Sequence, residues 1–382
     1  MAAGIHGDGA ATGDARLVSG AGGDGRPDGA WPERYDVAIV GAGPIGIECA
    51  ILARRAGLSH VLLDQGPVAA AIARYPTYML FFTTSERLEV GGHPLVSAVD
   101  KPTRKEALDY YRKVVANERL NVKQFTRVTA IAPAALEAPR PSGRAARFAL
   151  EVEARAPSGL SGTVHADAVV VATGYFDNPN MLGVPGEDLP WVSHYYTEAH
   201  QFFARPVVIV GGGSSAADAA LDLYRAGARV TLVHRGEAMK HTLKYWIRPN
   251  LENRIKEGSI AARFGTVVRR FEPGRVVVAP LGAAPGEGEE SLAADQAFVL
   301  TGYSAPTWLI EGAGVRVDPE TRKARVDPGT YESNVPGLYV VGSASSGTKT
   351  SEVFVENGLV HARAAMADLI RKVQEPATIG SP

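Results

Sequence analysis

Two stretches of this chain hold residues that could do chemistry on a bound dinucleotide. Residues 37–51 read VAIVGAGPIGIECAI and place Gly41, Gly43 and Gly46 at G-x-G-x-x-G spacing. The chain's single cysteine, Cys49, follows three residues later. The second stretch, RPVVIVGGGSSAADAALDLYRAGARVTLVHRG, carries Gly211 and Gly213, with Ala216 in the third-glycine place. Glycines let the backbone come close to a pyrophosphate, which free N–H groups and the positive end of a helix then hold. A thiol in such a place would offer a second chemistry, thiolate attack on a disulfide.

The elements needed to position these residues are legible on either side. The β-rich run 37–40 leads into the first turn. A helix follows, with Ile45, Cys49, Leu52 and Ala56 on one face, and the strand 60–63 ends on Asp64. Strand, glycine turn, helix, strand and terminal acid form the context a dinucleotide site requires, with Asp64 accepting from ribose hydroxyls. The second unit repeats this from strand 207–210, and its helix keeps Ala217, Leu221 and Tyr224 on one face. His234 lies as far past Gly211 as Asp64 lies past Gly41, and Arg235 follows it. A carboxylate there would repel a 2′-phosphate, whereas a guanidinium pairs with it through two parallel bonds. The acid-ended unit therefore suits FAD and the arginine-ended unit suits NADPH, one cofactor bound and the other exchanging.

The expected FAD site takes in Gly41, Gly43, Pro44, Ile45 and Gly46 at the turn, with Asp64 and Gln65 at the strand end. The expected NADPH site takes in Gly211, Gly213, Ser214 and Ser215, with His234, Arg235 and Lys240 beyond them. Two further apolar runs, ADAVVVATGYFDNP and ADQAFVLTGYSAP, both end in Thr-Gly-Tyr, as if closing each crossing between two domains. They add Thr173 and Gly174 to the flavin side and Gly302 to the nicotinamide side, while Val128 joins the former from the intervening segment. Near the C-terminus, VPGLYVVGSASSGTKTSEVFVENGLVHARAAMADLI reads as strand, Gly342, polar loop and long helix. Val355, Leu359, Ala362, Met366 and Leu369 form its apolar stripe, and Ser351 is the expected N-cap. Gly342, Ser343, Glu352 and Val353 are then on the flavin side, with the helix start facing the flavin's C2 carbonyl and N1.

These elements predict an α/β chain with two Rossmann-like dinucleotide-binding domains, the NADPH domain inserted in a split FAD domain. The expected boundaries are a disordered tail 1–33, FAD domain 34–190 and 300–374, NADPH domain 191–299 and a flexible end 375–382. Thr103 and Glu106 stand at capping-box spacing before a helix, and APRPSGRAA and LGAAPGEGEE read as surface loops. Lys plus Arg number 40 against 41 for Asp plus Glu, which gives no basic footprint for nucleic acid. One cysteine makes no intramolecular disulfide, no apolar run approaches the roughly 20 residues of a bilayer span, and the tail lacks a secretory signal pattern. A cytoplasmic protein without membrane contact is expected.

From about Tyr35 to Leu369 the chain resembles the thioredoxin-reductase-like flavoproteins and, within them, the bacillithiol disulfide reductase group. The stretches RYPTYMLFFTTSERLEVGG, VSHYYTEAHQFF and LKYWIRPNLENRIKEGSI carry that resemblance. It implies a homodimeric FAD- and NADPH-dependent enzyme that reduces a low-molecular-weight thiol disulfide. That group typically places a cysteine directly after Gly-Gly-Gly-Pro in the first turn, and Ile45 stands there in this chain. No C-x-x-C occurs either, which excludes a thioredoxin-reductase dithiol relay. Cys49 lies roughly 6 Å further along the helix axis, beyond most of the dipole's reach, and is expected to be core.

The acceptor is thus expected to be a small disulfide such as bacillithiol disulfide, or a small redox protein such as ferredoxin or flavodoxin. A flavin monooxygenase and a non-catalytic flavin/NADPH sensor are the remaining alternatives. His194 is expected to be a linker histidine. Tyr75, Tyr78, Phe81 and Phe82 either wall the flavin or belong to the core, and Ser85 and Glu86 cap a short helix. Replacing Arg235 by Ala is expected to raise the KM for NADPH about ten- to a hundred-fold, the worth of one charge-assisted contact, while sparing NADH. Equal changes for both nucleotides would remove the 2′-phosphate role.

Overall fold

The computed structural model describes residues 34–134, 147–154 and 161–374. The expectations for 1–33, for APRPSGRAA and for 375–382 fall outside these residues. Strand β1 (Arg34–Val40), helix α1 (Pro44–Arg55) and strand β2 (His60–Leu63) form the first strand–turn–helix–strand unit. Proline suits the start of α1, because its missing N–H would have had no intrahelical partner.

A single helical turn, α2 (Ala70–Ala73), and a 3-10 turn at Ser85–Leu88 lead to α3 (Arg104–Asn117). The expected capping box is present: the Glu106 N–H donates to the Thr103 hydroxyl (3.1 Å), and the Thr103 N–H donates to the Glu106 carboxylate (2.7 Å). The short strand β3 (Val122–Lys123), then β4 (Thr126–Pro133), β5 (Phe148–Ala154) and β6 (Ser161–Val171) follow.

Strand β6 organises the first sheet. Its N-terminal half is accessible except at Val164 and pairs antiparallel with β5. From Ala166 to Val171 every residue is buried, and this half pairs parallel with β1. Burial on both faces is the usual condition of a parallel strand, and it accounts for the apolar run from Ala168 to Val171. Asp167 before it is buried in an ion pair with Arg34 (2.8 Å). The sheet order is β3-β2-β1-β6-β5-β4, and β15 (Leu338–Val340) returns late in the chain to pair with β6.

Between them lies a second sheet, all parallel, in the order β10-β9-β8-β14-β7. Its strands are β7 (Val192–Ser193), β8 (Pro206–Val210), β9 (Arg229–Val233), β10 (Ala261–Arg263) and β14 (Gln296–Val299). Helices α4 (Ser214–Arg225) and α5 (Arg248–Lys256) belong to this unit. A three-stranded antiparallel sheet, β11 (Thr266–Glu272), β12 (Arg275–Pro280) and β13 (Glu290–Ala293), precedes β14, and the turn between β12 and β13 is the expected LGAAPGEGEE loop.

The chain crosses from the first sheet to the second after β6 and back after β14. The two crossings run side by side: the Asn180 N–H donates to the Gly302 carbonyl (2.9 Å), and the Asn178 amide donates to that of Ser304 (3.0 Å). Helix α6 (Trp308–Gly312) follows the return, and α7 (Val355–Gln374) closes the chain against α1.

Two local expectations need correction. Ser351 does not cap α7; the helix starts at Val355, and the Phe354 N–H donates to the Asn357 side-chain oxygen (2.7 Å). A side chain reaching back from the first turn does the capping that Ser351 was expected to do. Nor is α1 buried on one stripe. Ile45, Leu52 and Ala56 are half-buried, while Ile47, Cys49, Ala50, Ile51 and Ala53 are fully enclosed, because α3 and α7 cover the helix on the sides the sheet leaves open. Glu48 is enclosed with them and satisfied on both oxygens, by the Gly91 N–H (2.6 Å) and by Arg363 of α7 (2.8 Å). Without both partners a buried carboxylate would be costly.

A side chain at Gly46 would overlap the Gly41 carbonyl oxygen. Gly46→Ala is therefore expected to lower the unfolding free energy by about 1–3 kcal/mol, the usual penalty of an overpacked contact. Thermal unfolding of the variant beside the parent checks this, and equal midpoints would contradict it.

Candidate cofactor sites

The first glycine turn joins the end of β1 to the start of α1. Gly41 has φ near 112°, a left-handed conformation that favours glycine, and a Cβ there would overlap the Ala172 carbonyl oxygen. Gly43, by contrast, faces open space: a Cβ added there would meet nothing within 4 Å. Two of the three glycines are thus required by close approach within the chain, whereas at Gly43 the chain itself leaves room for a side chain.

Asp64 ends β2 beside this turn. Its two carboxylate oxygens accept from the Ala42 and Gly66 N–H groups, each at 2.7 Å. Burial pushes its carboxyl up from the ordinary range, against the pull of those two amides. A cavity of about 240 Å³ opens along the carboxylate. Gly41, Asp64, Gln65, Val128, Thr173 and Gly174 all line it, so six of the expected flavin-side residues come together from four parts of the chain. Sequence reasoning missed its other walls. Arg127 and Trp308 stand together at the rim, with the guanidinium 5.5 Å from the indole centre, and Asn178 and Pro306 come from the two crossings. Only the sheet order brings such distant positions together.

Pro44 and Ile45 open α1, and Gly342 and Ser343 follow β15. The Ile45 side chain fills the space left by Gly342 and Gly358, where an added Cβ would lie 3.1 Å and 2.8 Å from its carbons. Branched aliphatic bulk occupies the position at which the resembling group carries its cysteine. Ser343 donates to the Val353 carbonyl (3.1 Å), so these two expected residues lie together, while Glu352 is exposed and paired with Lys323 (2.5 Å). Cys49 is 0 % exposed, and burial drives its thiol far above the ordinary range. It behaves as a small core residue.

The second turn repeats the first with one exchange. Gly211 approaches the Leu300 carbonyl as Gly41 approaches that of Ala172, and Gly213, like Gly43, faces open space. His234, only 8 % exposed, folds its ring back against Gly212 and Gly236, and any side chain at Gly212 would overlap that ring. Burial, then the charges of Lys240 and Arg235, push its pKa down, which favours the neutral ring. Arg235, Lys240 and Ser215 are exposed, and Ser214 begins α4. Among the described residues neither Arg235 nor the Lys240 ammonium forms an ion pair. Gly302 lies on the returning crossing, its carbonyl bonded to Asn180.

The aromatic residues after Asp64 divide. Phe81 is buried; Tyr75 packs its edge on Phe81 and Phe176; Tyr78 and Phe82 are exposed. His194 lies under the crossings, its Nε2 3.5 Å from a Glu187 carboxylate oxygen. Among the described residues no His, Cys, Asp and Glu cluster suits a metal, and no helix is long and apolar enough to cross a membrane.

The geometry fits two dinucleotides: each sheet presents an open glycine, a helix start and a cavity or cation to match. The sequence profile of the pyridine nucleotide-disulphide oxidoreductases matches residues 38–342. Bacilliredoxin reductase Bdr of Bacillus subtilis strain 168 is 34 % identical over 337 residues, 87 % of this chain and 97 % of that protein. The solved bacillithiol disulfide reductase Bdr from Bacillus cereus is 34 % identical, with a TM-score of 0.81 over 89 % of this chain and 100 % of that one. The ferredoxin–NADP reductase of Granulibacter bethesdensis is 28 % identical over 325 residues, 81 % of this chain and 82 % of that protein. The chain belongs to the pyridine nucleotide-disulphide oxidoreductase family, as a flavoprotein oxidoreductase whose cofactors are FAD and NADPH.

Proposed function

We propose that this protein uses NADPH to reduce a low-molecular-weight thiol disulfide such as bacillithiol disulfide, with no protein thiol taking part. The balance is one NADPH, one proton and one disulfide giving NADP+ and two thiols. When bound, FAD supplies the two-electron chemistry between the nucleotide and the acceptor. The observation that carries the reading is the paired glycine turns, one backed by Asp64 and the other by Arg235, in a chain 34 % identical to a bacilliredoxin reductase.

The protein's own residues bind and orient. We assign Asp64 to the ribose of FAD, Gly43 and the start of α1 to its pyrophosphate, and the cavity at Gln65, Val128 and Thr173 to its adenosine. Gly213, Ser214 and Ser215 take the pyrophosphate of NADPH, and Arg235 with Lys240 takes its 2′-phosphate. His234 supports that turn from beneath, which leaves Arg235 to face solvent. On this reading residues 34–190 and 300–374 form the flavin unit and 191–299 the nicotinamide unit.

One observation favours a second reading. Ile45 and the enclosed Cys49 remove sulfur from the reaction, and a ferredoxin–NADP reductase needs none; a relative bearing that name matches most of the chain. An acceptor panel decides: NADPH oxidation is followed with bacillithiol disulfide, ferredoxin, flavodoxin and oxygen in turn. Fast turnover with the disulfide, retained in Cys49→Ala, is expected. Turnover with ferredoxin alone would replace the first reading by the second. Asp64→Ala is expected to weaken FAD retention about ten-fold or more, since a ribose loses a charged acceptor. Undiminished flavin after gel filtration would contradict that assignment.

A further inference from the structure

Two of the stretches that carry the resemblance, RYPTYMLFFTTSERLEVGG and LKYWIRPNLENRIKEGSI, serve neither glycine turn by pattern. The fold brings them together at Lys244. Its ammonium lies 4.8 Å from the centre of the Phe82 ring, which belongs to the first stretch, and 5.4 Å from that of Trp246. Phe82 in turn packs edge-on against Phe354, the residue before α7, at 5.3 Å.

The segment bearing Lys244 is laid directly over the second glycine turn. Met239, Leu243 and Ile247 are buried at every fourth residue and anchor it in the core around α4. The residues just after the first two of these anchors then meet the turn: the Lys240 N–H donates to the Gly212 carbonyl (3.1 Å), and that of Lys244 to the Ser214 hydroxyl (3.5 Å). Ser214 is the first residue of α4, and Gly213 before it faces open space. The half-buried Lys244 forms no ion pair among the described residues; its charge acts on Asp218, one turn into α4, without forming one. The backbone of Lys244 thus lies against the helix start beside the open Gly213. Its ammonium rests between two rings, with no salt-bridge partner among the described residues and Asp218 as the acid it acts on.

We propose that Lys244 is a second anion-binding residue of the NADPH site, holding the pyrophosphate and hence the nicotinamide half against the Phe82 side of the molecule. The inference rests on the reading of the second glycine turn as the NADPH site. Arg235 and Lys244 then divide the nucleotide between them: Arg235 selects the 2′-phosphate, and Lys244 binds what NADP+ and NAD+ have in common. Phe82 and Trp246 keep the ammonium from roaming, so less freedom is lost when the anion arrives.

The division is tested by binding rather than turnover, on the full-length, flavin-loaded, oxidised enzyme. Calorimetric affinities are measured for NADP+, NAD+ and 2′-AMP, which carries the 2′-phosphate and no pyrophosphate. Lys244→Met is expected to weaken NADP+ and NAD+ alike, roughly ten- to a hundred-fold, and to leave 2′-AMP unchanged. Arg235→Ala should give the crossed pattern, losing NADP+ and 2′-AMP and sparing NAD+. Lys244→Arg, which keeps the cation, should recover most of the loss. An unchanged NADP+ affinity in Lys244→Met, or an equal loss for 2′-AMP, would overturn the proposal. A parent enzyme that binds none of the three probes would instead overturn the reading of the turn itself, and the role of Lys244 with it.

Discussion

The contact on which this structure depends is the close approach of a helix start to the end of a strand, made twice through glycine. At the first turn Gly46 of α1 sits against the Gly41 carbonyl, with no room for a methyl group. That approach points the free amides of α1 at one spot and fixes where β6 and α7 pack around it. At the second turn the third position is Ala216, whose methyl lies 3.1 Å from where a Cβ of Gly211 would be. The same geometry is kept with slightly more room. Each helix then presents its positive end beside an open glycine, an arrangement that suits an anion such as a phosphate.

The two turns diverge through one reciprocal exchange. Where the first has Ala42 beside Asp64, the second has Gly212 beside His234. A carboxylate is small and reaches the Ala42 N–H; an imidazole is larger and needs the side chain opposite it to be absent. With the ring enclosed, the next residue, Arg235, is exposed. On the proposed reading, nucleotide preference would follow from how a buried ring packs as much as from charge. Sulfur is managed in a similar way: Ile45 fills the α1–α7 junction, and Cys49 is sealed one turn deeper, where burial keeps it a thiol.

Much of the fold was legible because its signals are local. Strand β2 spans the residues expected of it, the Thr103–Glu106 box starts α3, and the repeated offset to Asp64 and His234 gave both units. What escaped is what distance or competition decides. His234 reads as a polar strand end, and only Gly212, set against Ala42, hints that its ring turns inward. Ser351 reads as a cap, but Asn357 takes that place from inside the helix. Arg127, Trp308 and Asn178 meet at the cavity only because the sheet sets β4 beside β5 and β5 beside β6, α6 packs on β4 and the crossings follow. Phe82 meets Lys244 only across the two units.

The central claim is that one chain holds FAD at its first turn within reach of NADPH at its second. Anaerobic rapid mixing of the purified, flavin-loaded protein with NADPH tests this most directly, by following the absorbance of oxidised flavin as the cofactor takes up hydride. The account predicts complete bleaching in a single turnover, faster with NADPH than with NADH. A flavin that stays oxidised, or that both nucleotides reduce equally slowly, would contradict it.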